Sequence, residues 1–235
     1  MRPHLKVEMS PGCKVRRINK TICERGGAVQ LRINGCVGCD RHVFMPKDKT
    51  SVCPLCGHDR YKPNGLAYEE AFYFPLRPQF ERLLKIPHFR HALMYDMRRE
   101  SNSDYMTDIC DSPRWTSRGM GGEDSTPSIR LQTCVDGVPP FQHGHHESVK
   151  PVQHFIANLP PWIRYKLHYM VLHMLIPSTL KGQAAKKYYD WAAKYEMNTL
   201  HTYGVDGFRV LIFGMTLDTP GRRELLQLQV NIVLN

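Results

Sequence analysis

The sequence lacks an apolar run long enough to cross a bilayer as a helix. Its most apolar segment, "YMVLHMLI", spans only eight residues and contains His173, whereas a membrane-spanning helix needs about 20 apolar residues. The opening "MRPHLKVEMSPGCKVRR" has no apolar stretch typical of a secretory signal. We therefore expect no contact with the membrane interior and no export.

Acidic residues are scarce relative to basic ones. The chain has 22 Asp and Glu against 32 Lys and Arg, a net charge of +10 and a pI near 9.3. Such a surface attracts polyanions, of which nucleic acid is the commonest, although charge alone does not separate DNA from RNA or an anionic membrane. With 42% hydrophobic and 23% charged residues, the composition excludes wholesale disorder.

The chain has eight cysteines, and four of them form two Cys-x-x-Cys pairs with thirteen residues between the pairs. In a reducing compartment, such thiols are metal ligands more often than disulfides. Zn²⁺ prefers four soft donors in a tetrahedron, and one tight turn presents two of them. Gly57 leaves the backbone room to turn its N–H groups toward sulfur. The spacing predicts a closed, structural zinc site in a small ribbon, with the ligands Cys36, Cys39, Cys53 and Cys56.

Other interpretations of these thiols stay open at this point. The pairs could be redox-active or simply buried, and His58 could replace one thiol as a ligand. The remaining cysteines show no comparable spacing, so we predict ordinary buried thiols. These are Cys13, Cys23, Cys110 and Cys134.

The pattern along the chain predicts four regions. Residues 1–33 form a basic arm that contacts phosphates or is a plain solvated tail, and residues 34–65 form the zinc ribbon. Residues 66–128 are a basic helical region, broken into two helices at Pro87, followed by a polar connector. Residues 129–235 are the core.

The core segment shows three apolar strand patterns, then a helical pattern, then a fourth strand. The order strand, strand, strand, helix, strand is that of the ribonuclease-H-like fold, so we predict a partial domain of that kind in a mixed α/β chain. The segments are "SIRLQTCVDG", "KPVQHFIANLP", "YMVLHMLIP", "GQAAKKYYDWAAKYEMNTL" and "GFRVLIFGMTLDTPG".

Two aspartates follow apolar strands of this core. Asp136 ends the first strand and Asp218 the fourth. If these strands are neighbours, both carboxylates could share Mg²⁺ or Mn²⁺ in a site for phosphodiester cleavage. The alternative is that each aspartate is a turn residue, as is common before Gly.

Histidines and aromatic residues give weaker signals. We expect the "HGHH" segment, which contains His143, His145 and His146, to be a solvated loop rather than a second metal site. Aromatic residues at helical spacing could stack on bases, but we predict core packing for them. These are Trp162, Tyr188, Tyr189 and Trp191.

Several segments resemble transposases of CACTA-type (En/Spm-like) DNA transposons over about residues 50–229. They are "CPLCGHDRYK", "FYFPLRPQFERLL", "VDGVPPF", "ANLPPWIRYKLHYMVLHMLIP" and "GFRVLIFGMTLDTPG". The resemblance implies a nuclear protein that acts on double-stranded DNA and pairs with itself or with a full-length transposase. It also implies an acidic triad on a ribonuclease-H-like core, with Asp136 first and Asp218 second, that uses divalent metal to cut and join DNA.

The chain departs from the family pattern at two places. The family usually has the pattern Asp-Gly-x-Asn-Pro-Phe. In this chain Asp136-Gly137 is followed by Val138, Pro139 and Pro140. The family's third acid lies on a helix well beyond the second, whereas this chain ends seventeen residues after Asp218, and Glu224 is too close to replace it. Two hypotheses follow: a transposase or fragment that cleaves only as the complete protein, and a non-catalytic, zinc-stabilised module that binds DNA or protein.

Overall fold

The computed structural model describes residues 29–100, 105–113, 115, 127–138 and 148–217. Within these ranges the protein is a mixed α+β structure built on a seven-stranded mixed sheet. Most of the predicted basic arm lies outside the described residues. The same is true of Asp218, Glu224 and the "HGHH" histidines.

The sheet has the strand order β2-β1-β3-β6-β5-β4-β7. All neighbouring strands run antiparallel except β4 and β7, which are parallel. The strands are β1 (Leu31–Gly35), β2 (Val43–Phe44), β3 (Ala71–Tyr73), β4 (Ser128–Val135), β5 (Val149–Ile156), β6 (Val171–Pro177) and β7 (Arg209–Leu217).

Helices cover the sheet and connect its strands. A π-helical stretch, Ala193–Met197, continues from α5 into α6, and short 3-10 turns occur at Ile109–Asp111 and Leu167–Tyr169. The α-helices are α1 (Leu76–Leu84), α2 (Pro87–Leu93), α3 (Tyr95–Arg98), α4 (Pro161–Arg164), α5 (Gln183–Ala192) and α6 (Asn198–Tyr203).

The predicted secondary structure of the core is confirmed. Strands β4, β5, β6 and β7 lie in the four strand segments, and α5 begins the predicted helix. Pro87 is the first residue of α2, as the predicted break required, because proline lacks the N–H that a helix interior needs. Trp115 is 5% exposed and anchors the polar connector, with its ring 4.0 Å from the Arg130 guanidinium.

The ribbon is part of the large sheet, which the predicted boundary between residues 33 and 34 does not anticipate. That boundary falls inside β1, which pairs with β2 of the ribbon on one side and β3 on the other. β3 lies in the region predicted to be helical and links β1 to β6. The pairing of β3 with β6 joins segments about 100 residues apart, and that of β1 with β3 joins segments about 40 apart, so a local sequence pattern does not predict them.

One face of the sheet carries two apolar clusters with a polar line between them. Along β4, Leu131 belongs to the cluster under α1 and α2, and Val135 to the cluster under α5. Thr133 lies between them and contacts His154 of β5. The same face therefore packs two helical layers, and buried polar groups separate them.

Candidate metal centre

The four predicted cysteines come together in one cluster. The Sγ atoms of Cys36 and Cys56 are 3.5 Å apart and those of Cys39 and Cys53 are 3.9 Å apart, and all four lie within 4.8 Å of one another. Zinc–sulfur bonds of about 2.3 Å in a tetrahedron place sulfur atoms about 3.8 Å apart. The cluster therefore has the size that one metal ion requires.

Both Cys-x-x-Cys turns have the same backbone pattern. Asp40 N donates to Cys36 O at 3.2 Å, and Gly57 N donates to Cys53 O at 2.9 Å. The residue after each pair has positive φ, 50° at Asp40 and 74° at Gly57. Glycine adopts this conformation without strain, which explains Gly57. The repeated turn aims two thiols from each half at a common point.

Backbone N–H groups face the sulfur atoms, as the sequence predicted. Burial raises the pKa of the Cys36 thiol to about 12, against the opposing N–H groups of Cys39 and Gly38. At Cys53 burial also acts to raise the pKa, but the N–H groups of Leu55 and Cys56 outweigh it and the pKa falls to about 7. A bound cation would favour the thiolate at all four positions, so binding would release protons.

A buried lysine ties the first cysteine turn to α5. Lys187 Nζ donates to Cys36 O and to Asp40 Oδ1, each at 2.9 Å, and forms an ion pair with Glu69 Oε1 at 2.8 Å. A Cβ at Gly35 would lie 2.5 Å from the Lys187 chain and 2.7 Å from the Tyr188 hydroxyl. Glycine at position 35 therefore lets the ribbon approach the helix closely.

Arg60 holds the rest of the ribbon together. Its Nε and Nη2 donate to Asn34 Oδ1 at 2.9 and 2.7 Å, and Nη1 donates to Asp48 O at 2.7 Å. Its guanidinium also lies 4.6 Å from the Phe44 ring. Asn34 in turn donates to Glu69 O. Because Arg60 is 6% exposed, these bonds form in a dry site and brace β1, β2 and the loop between the cysteine pairs.

His58 is not one of the residues that form the metal-binding cluster. Its Nδ1 lies 2.7 Å from the carbonyl oxygen of Asp59, and its ring packs against Gly38, where a Cβ would come within 2.7 Å. In the part of the chain that the structure describes, the four-cysteine cluster is the only group of three or more metal-binding side chains. Cys110 and Cys134 are half-buried and outside it; Cys13 and Cys23 fall outside the described residues.

Of the two predicted carboxylate ligands, Asp136 lies among the described residues and Asp218 does not. Asp136 follows the last residue of β4 and is exposed, and its Oδ1 accepts a hydrogen bond of 2.7 Å from Gly137 N. Val135 pairs with Leu217 at the end of the parallel strands β4 and β7. Asp218 lies outside the described residues, as do the three "HGHH" histidines. The hydrogen bond from Gly137 N is local and leaves the carboxylate exposed.

The prediction of core packing holds for the aromatic residues of α5 and is wrong for Trp162. Tyr188 and Tyr189 are buried, and Trp191 packs edge-on against Tyr73 at 4.9 Å. Trp162, by contrast, is 68% exposed and touches Tyr95 at its edge. It follows Pro160 and Pro161 on the four-residue helix α4, which is too short to bury both of its faces.

A row of buried polar side chains that the sequence pattern did not predict lies between the two apolar clusters. Thr133 Oγ1 lies 2.9 Å from His154 Nδ1, His154 Nε2 lies 3.1 Å from His173 Nδ1, and His173 Nε2 lies 3.3 Å from Glu196 Oε2. Glu196 also accepts from the Tyr73 hydroxyl at 2.6 Å. Polar residues at positions that alternate with apolar ones in β4 and β5 are the signal that could have indicated it.

Burial and neighbouring groups shift the pKa values of His154 and Glu196, two of these buried polar residues. Burial lowers the pKa of His154 well below its usual value, and His173 adds to the effect. Burial acts to raise the pKa of Glu196, but His173, Tyr73 and the N–H of Leu76 outweigh it and lower it. Glu196 lies in the π-helical stretch, and its carboxylate accepts the first N–H groups of α1. The carboxylate therefore caps α1 and joins both helical layers.

No protein-family model, curated protein or solved structure gives a significant match to the chain. Across the described ranges, every helix is too short or too polar to traverse a bilayer. The cysteine cluster, the order of the strands and the charge of the surface are the features that bear on function.

Proposed function

We propose that this chain is a transposase, or a fragment of one, that binds double-stranded DNA in the nucleus. In the complete protein it supplies part of a metal-dependent site for DNA cleavage and strand transfer. The observation that carries the proposal is the parallel pairing of β4 with β7, whose last pair is Val135 and Leu217. The residues that follow this pair in the sequence are the two predicted acids, Asp136 and Asp218.

The topology supports a ribonuclease-H-like core. Three strands, β4, β5 and β6, form an antiparallel meander, and the chain crosses over through α5 and α6 to place β7 beside β4. A parallel neighbour requires such a crossover connection. In sheets with parallel strands, ligand sites lie beyond the carboxyl ends of the strands. A site for Mg²⁺ or Mn²⁺ at this edge fits that rule.

We propose further that the ion in the cysteine cluster is Zn²⁺ and that its role is structural. Four thiolates satisfy the tetrahedral preference of zinc and leave no position for a water that could act as nucleophile. Lys187 and Arg60 bind the backbone around the cluster, so the metal would stabilise the edge of the sheet as well as the ribbon.

Exposed cations on the helical region supply a surface for phosphates. Arg82 and Lys85 are exposed at the end of α1, and Arg98 is exposed on α3, where its guanidinium donates to the carbonyl oxygens of His91 and Met94 and has no carboxylate partner among the described residues. In contrast, Arg90 is engaged by Asp206, and Arg99 by Asp111. Cations that contact phosphates release counterions, so DNA affinity should fall steeply as salt rises.

The test is fluorescence anisotropy with a labelled DNA duplex from low to physiological salt. We expect micromolar binding that weakens at least tenfold between about 50 and 200 mM salt, as several phosphate contacts require. The double variant Arg82→Ala with Lys85→Ala should bind less tightly and show a shallower salt slope. Its matched control is Lys49→Ala with Lys62→Ala, which removes two exposed cations from the ribbon. Binding that ignores salt, or no binding to duplex DNA, would contradict the proposal.

A non-catalytic, zinc-stabilised module is the second candidate. It is favoured by the Asp136 carboxylate, which accepts a hydrogen bond from the adjacent Gly137 N. Metal-dependent nicking of supercoiled plasmid separates the two. Nicking that requires Mn²⁺ and disappears in Asp136→Ala supports the transposase, whereas DNA binding without nicking in a complex with full-length transposase supports the module.

A further inference from the structure

A groove lies between the ribbon and the helical layer. Its volume is about 490 Å³, and it is open to solvent. The ribbon lines it from one side, and α5 with its π-helical continuation lines it from the other. We call it the ribbon–helix groove; its main lining residues are Arg41, His42, Met45, Trp191, Lys194 and Tyr195.

The helical side of the groove presents a stack of aromatic rings. Trp191 and Tyr195 are one helical turn apart, and their rings stack with centroids 4.8 Å apart and planes 18° apart. Tyr73 supports Trp191 from below with its edge at 4.9 Å. Tyr195 is 40% exposed, so it offers ring surface to the groove while the rings beneath hold it in place. Nucleobases stack on such supported aromatic rings without regard to sequence.

Two residues that line the groove carry buried polar atoms without a hydrogen-bond partner. These atoms are His42 Nε2 and Trp191 Nε1. Buried polar atoms are nearly always satisfied, so each exception requires an explanation. Both atoms are buried, so they indicate unfilled hydrogen-bonding capacity beside the groove and not a surface that a ligand contacts directly.

The charge of the groove favours an anion. Arg41 on the ribbon and Lys194 on the helix are both exposed at its rim. The acidic member of the lining, Asp190, is paired with Lys186 at 2.6 Å. The carboxylates nearest Lys187 are paired with that lysine. Exposed positive charge therefore dominates the rim.

We propose that the ribbon–helix groove binds single-stranded nucleic acid, with one unpaired base stacked on Tyr195 and the phosphates beside it held by Arg41 and Lys194. The inference rests on the proposed DNA-binding function and names the form of DNA that this surface recognises. A duplex keeps its bases stacked on each other, whereas an unpaired base exposes the face that an aromatic ring needs. DNA ends opened during cleavage would provide such a strand.

The experiment measures anisotropy with a labelled oligothymidine of about 15 nucleotides, a length in the range of known single-strand sites. Arg41→Ala with Lys194→Ala should weaken binding about tenfold or more, since two phosphate contacts are lost. Tyr195→Leu should weaken it about fivefold or more, and Tyr195→Phe should retain it, because a phenyl ring still stacks. The matched control for charge is Lys62→Ala with Lys181→Ala, both exposed and outside the groove. Zinc content and circular dichroism confirm that each variant is folded.

The outcomes separate this inference from the proposed function. If the groove variants bind oligothymidine as tightly as the unaltered protein, while duplex binding still responds to Arg82 and Lys85, the groove proposal is wrong and the DNA-binding proposal stands. If the unaltered protein binds neither the oligonucleotide nor the duplex, both proposals fail. Equal losses in Tyr195→Leu and Tyr195→Phe would also overturn the stacking role.

Discussion

The cysteine cluster and the proposed carboxylate site at the ends of β4 and β7 differ in how far apart in sequence their residues lie. The four thiols come from one segment of 21 residues, Cys36 to Cys56, and two similar turns bring them within 4.8 Å of one another. Asp136 and Asp218 are more than eighty residues apart in sequence, and the site proposed for them would depend on the pairing of β4 with β7. A site made from one segment is fixed by local spacing, whereas a site shared by distant strands is fixed only when the whole sheet forms.

The largest expected effect comes from removal of the metal from the ribbon. Structural zinc contributes on the order of 10 kcal/mol to the folding of isolated zinc peptides. Because β1 belongs to the main sheet, Cys53→Ser with Cys56→Ser, or a strong chelator, should unfold the ribbon and also lower the melting temperature of the remaining protein. Elemental analysis and thermal unfolding measure the two effects.

The matched control for the cysteine variants is Cys110→Ser with Cys134→Ser, two half-buried cysteines outside the cluster. It should retain one zinc per chain and change the free energy of unfolding by about 1 kcal/mol or less per site, the usual scale for mutations that create no large cavity. A protein whose ribbon stays folded without metal would break the contrast between the two regions.

The second effect tests whether the ribbon and the helical layer are coupled. Lys187→Met removes the cation from a site where Glu69 stays buried, and loss of one partner of a buried ion pair costs about 3–5 kcal/mol. Urea unfolding gives the change in free energy. The control, Lys186→Met, breaks an i,i+4 pair with the half-exposed Asp190 and should cost about 0.5 kcal/mol. Equal costs at positions 186 and 187 would show that the ribbon packs on α5 without this bond.

The sequence predicts what depends on short-range pattern. The cysteine spacing, the break at Pro87 and the four apolar strands of the core are local signals, and the structure contains all of them. β3 has three residues, too few to show an alternating pattern, and only its pairing with β1 and β6 defines it. The buried position of Lys187 follows from that pairing, so helical periodicity could not predict it.

Trp162 and the His154 chain show the other limit of the sequence. An apolar residue within an aromatic segment is usually buried, but α4 has only four residues and leaves Trp162 on the surface. His154 and His173 are buried against each other, and His173 Nε2 lies 3.3 Å from the Glu196 carboxylate. Burial of a polar group depends on its partners, and these lie on different strands.

The third effect concerns the pH dependence of stability. Since the pKa of His154 is lowered in the folded protein, the unfolded chain binds a proton below about pH 6.5 that the folded chain does not. The free energy of unfolding should therefore fall below about pH 6.5, by up to about 1.4 kcal/mol per pH unit for one proton. The pKa of Glu196 is also lowered in the folded protein. The free energy of unfolding should therefore fall further below about pH 4.5, as the pH approaches the pKa of this carboxyl in the folded state.

Urea unfolding at several pH values between 5 and 8 tests this dependence. His154→Gln should reduce the slope below pH 6.5, because glutamine does not titrate. His168→Gln, a change at an exposed histidine, should leave the slope as it was. If the free energy of unfolding of the unaltered protein did not change between pH 5 and 8, His154 would bind a proton as readily in the folded protein as in the unfolded one.

The smallest expected effect on stability is at the proposed carboxylate site, and there the two regions differ most sharply. Asp136 is exposed and its described partner is the N–H of Gly137, so Asp136→Asn should change the free energy of unfolding by about 0.5 kcal/mol or less.

The same change removes a carboxylate that a divalent cation needs, so Mn²⁺ binding, measured by water-proton relaxation, should weaken severalfold from a millimolar starting value. We expect weak binding even in the unaltered chain, because Asp136 is exposed and a cation held by few carboxylates has little charge to hold it. Asp59→Asn, an equally exposed change on the ribbon, is the control and should leave Mn²⁺ binding unchanged. If both variants lost Mn²⁺ equally, the ions would be bound by diffuse surface charge. If only Asp136→Asn lost it while zinc and stability were retained, the edge of β4 and β7 would be a metal site independent of the ribbon.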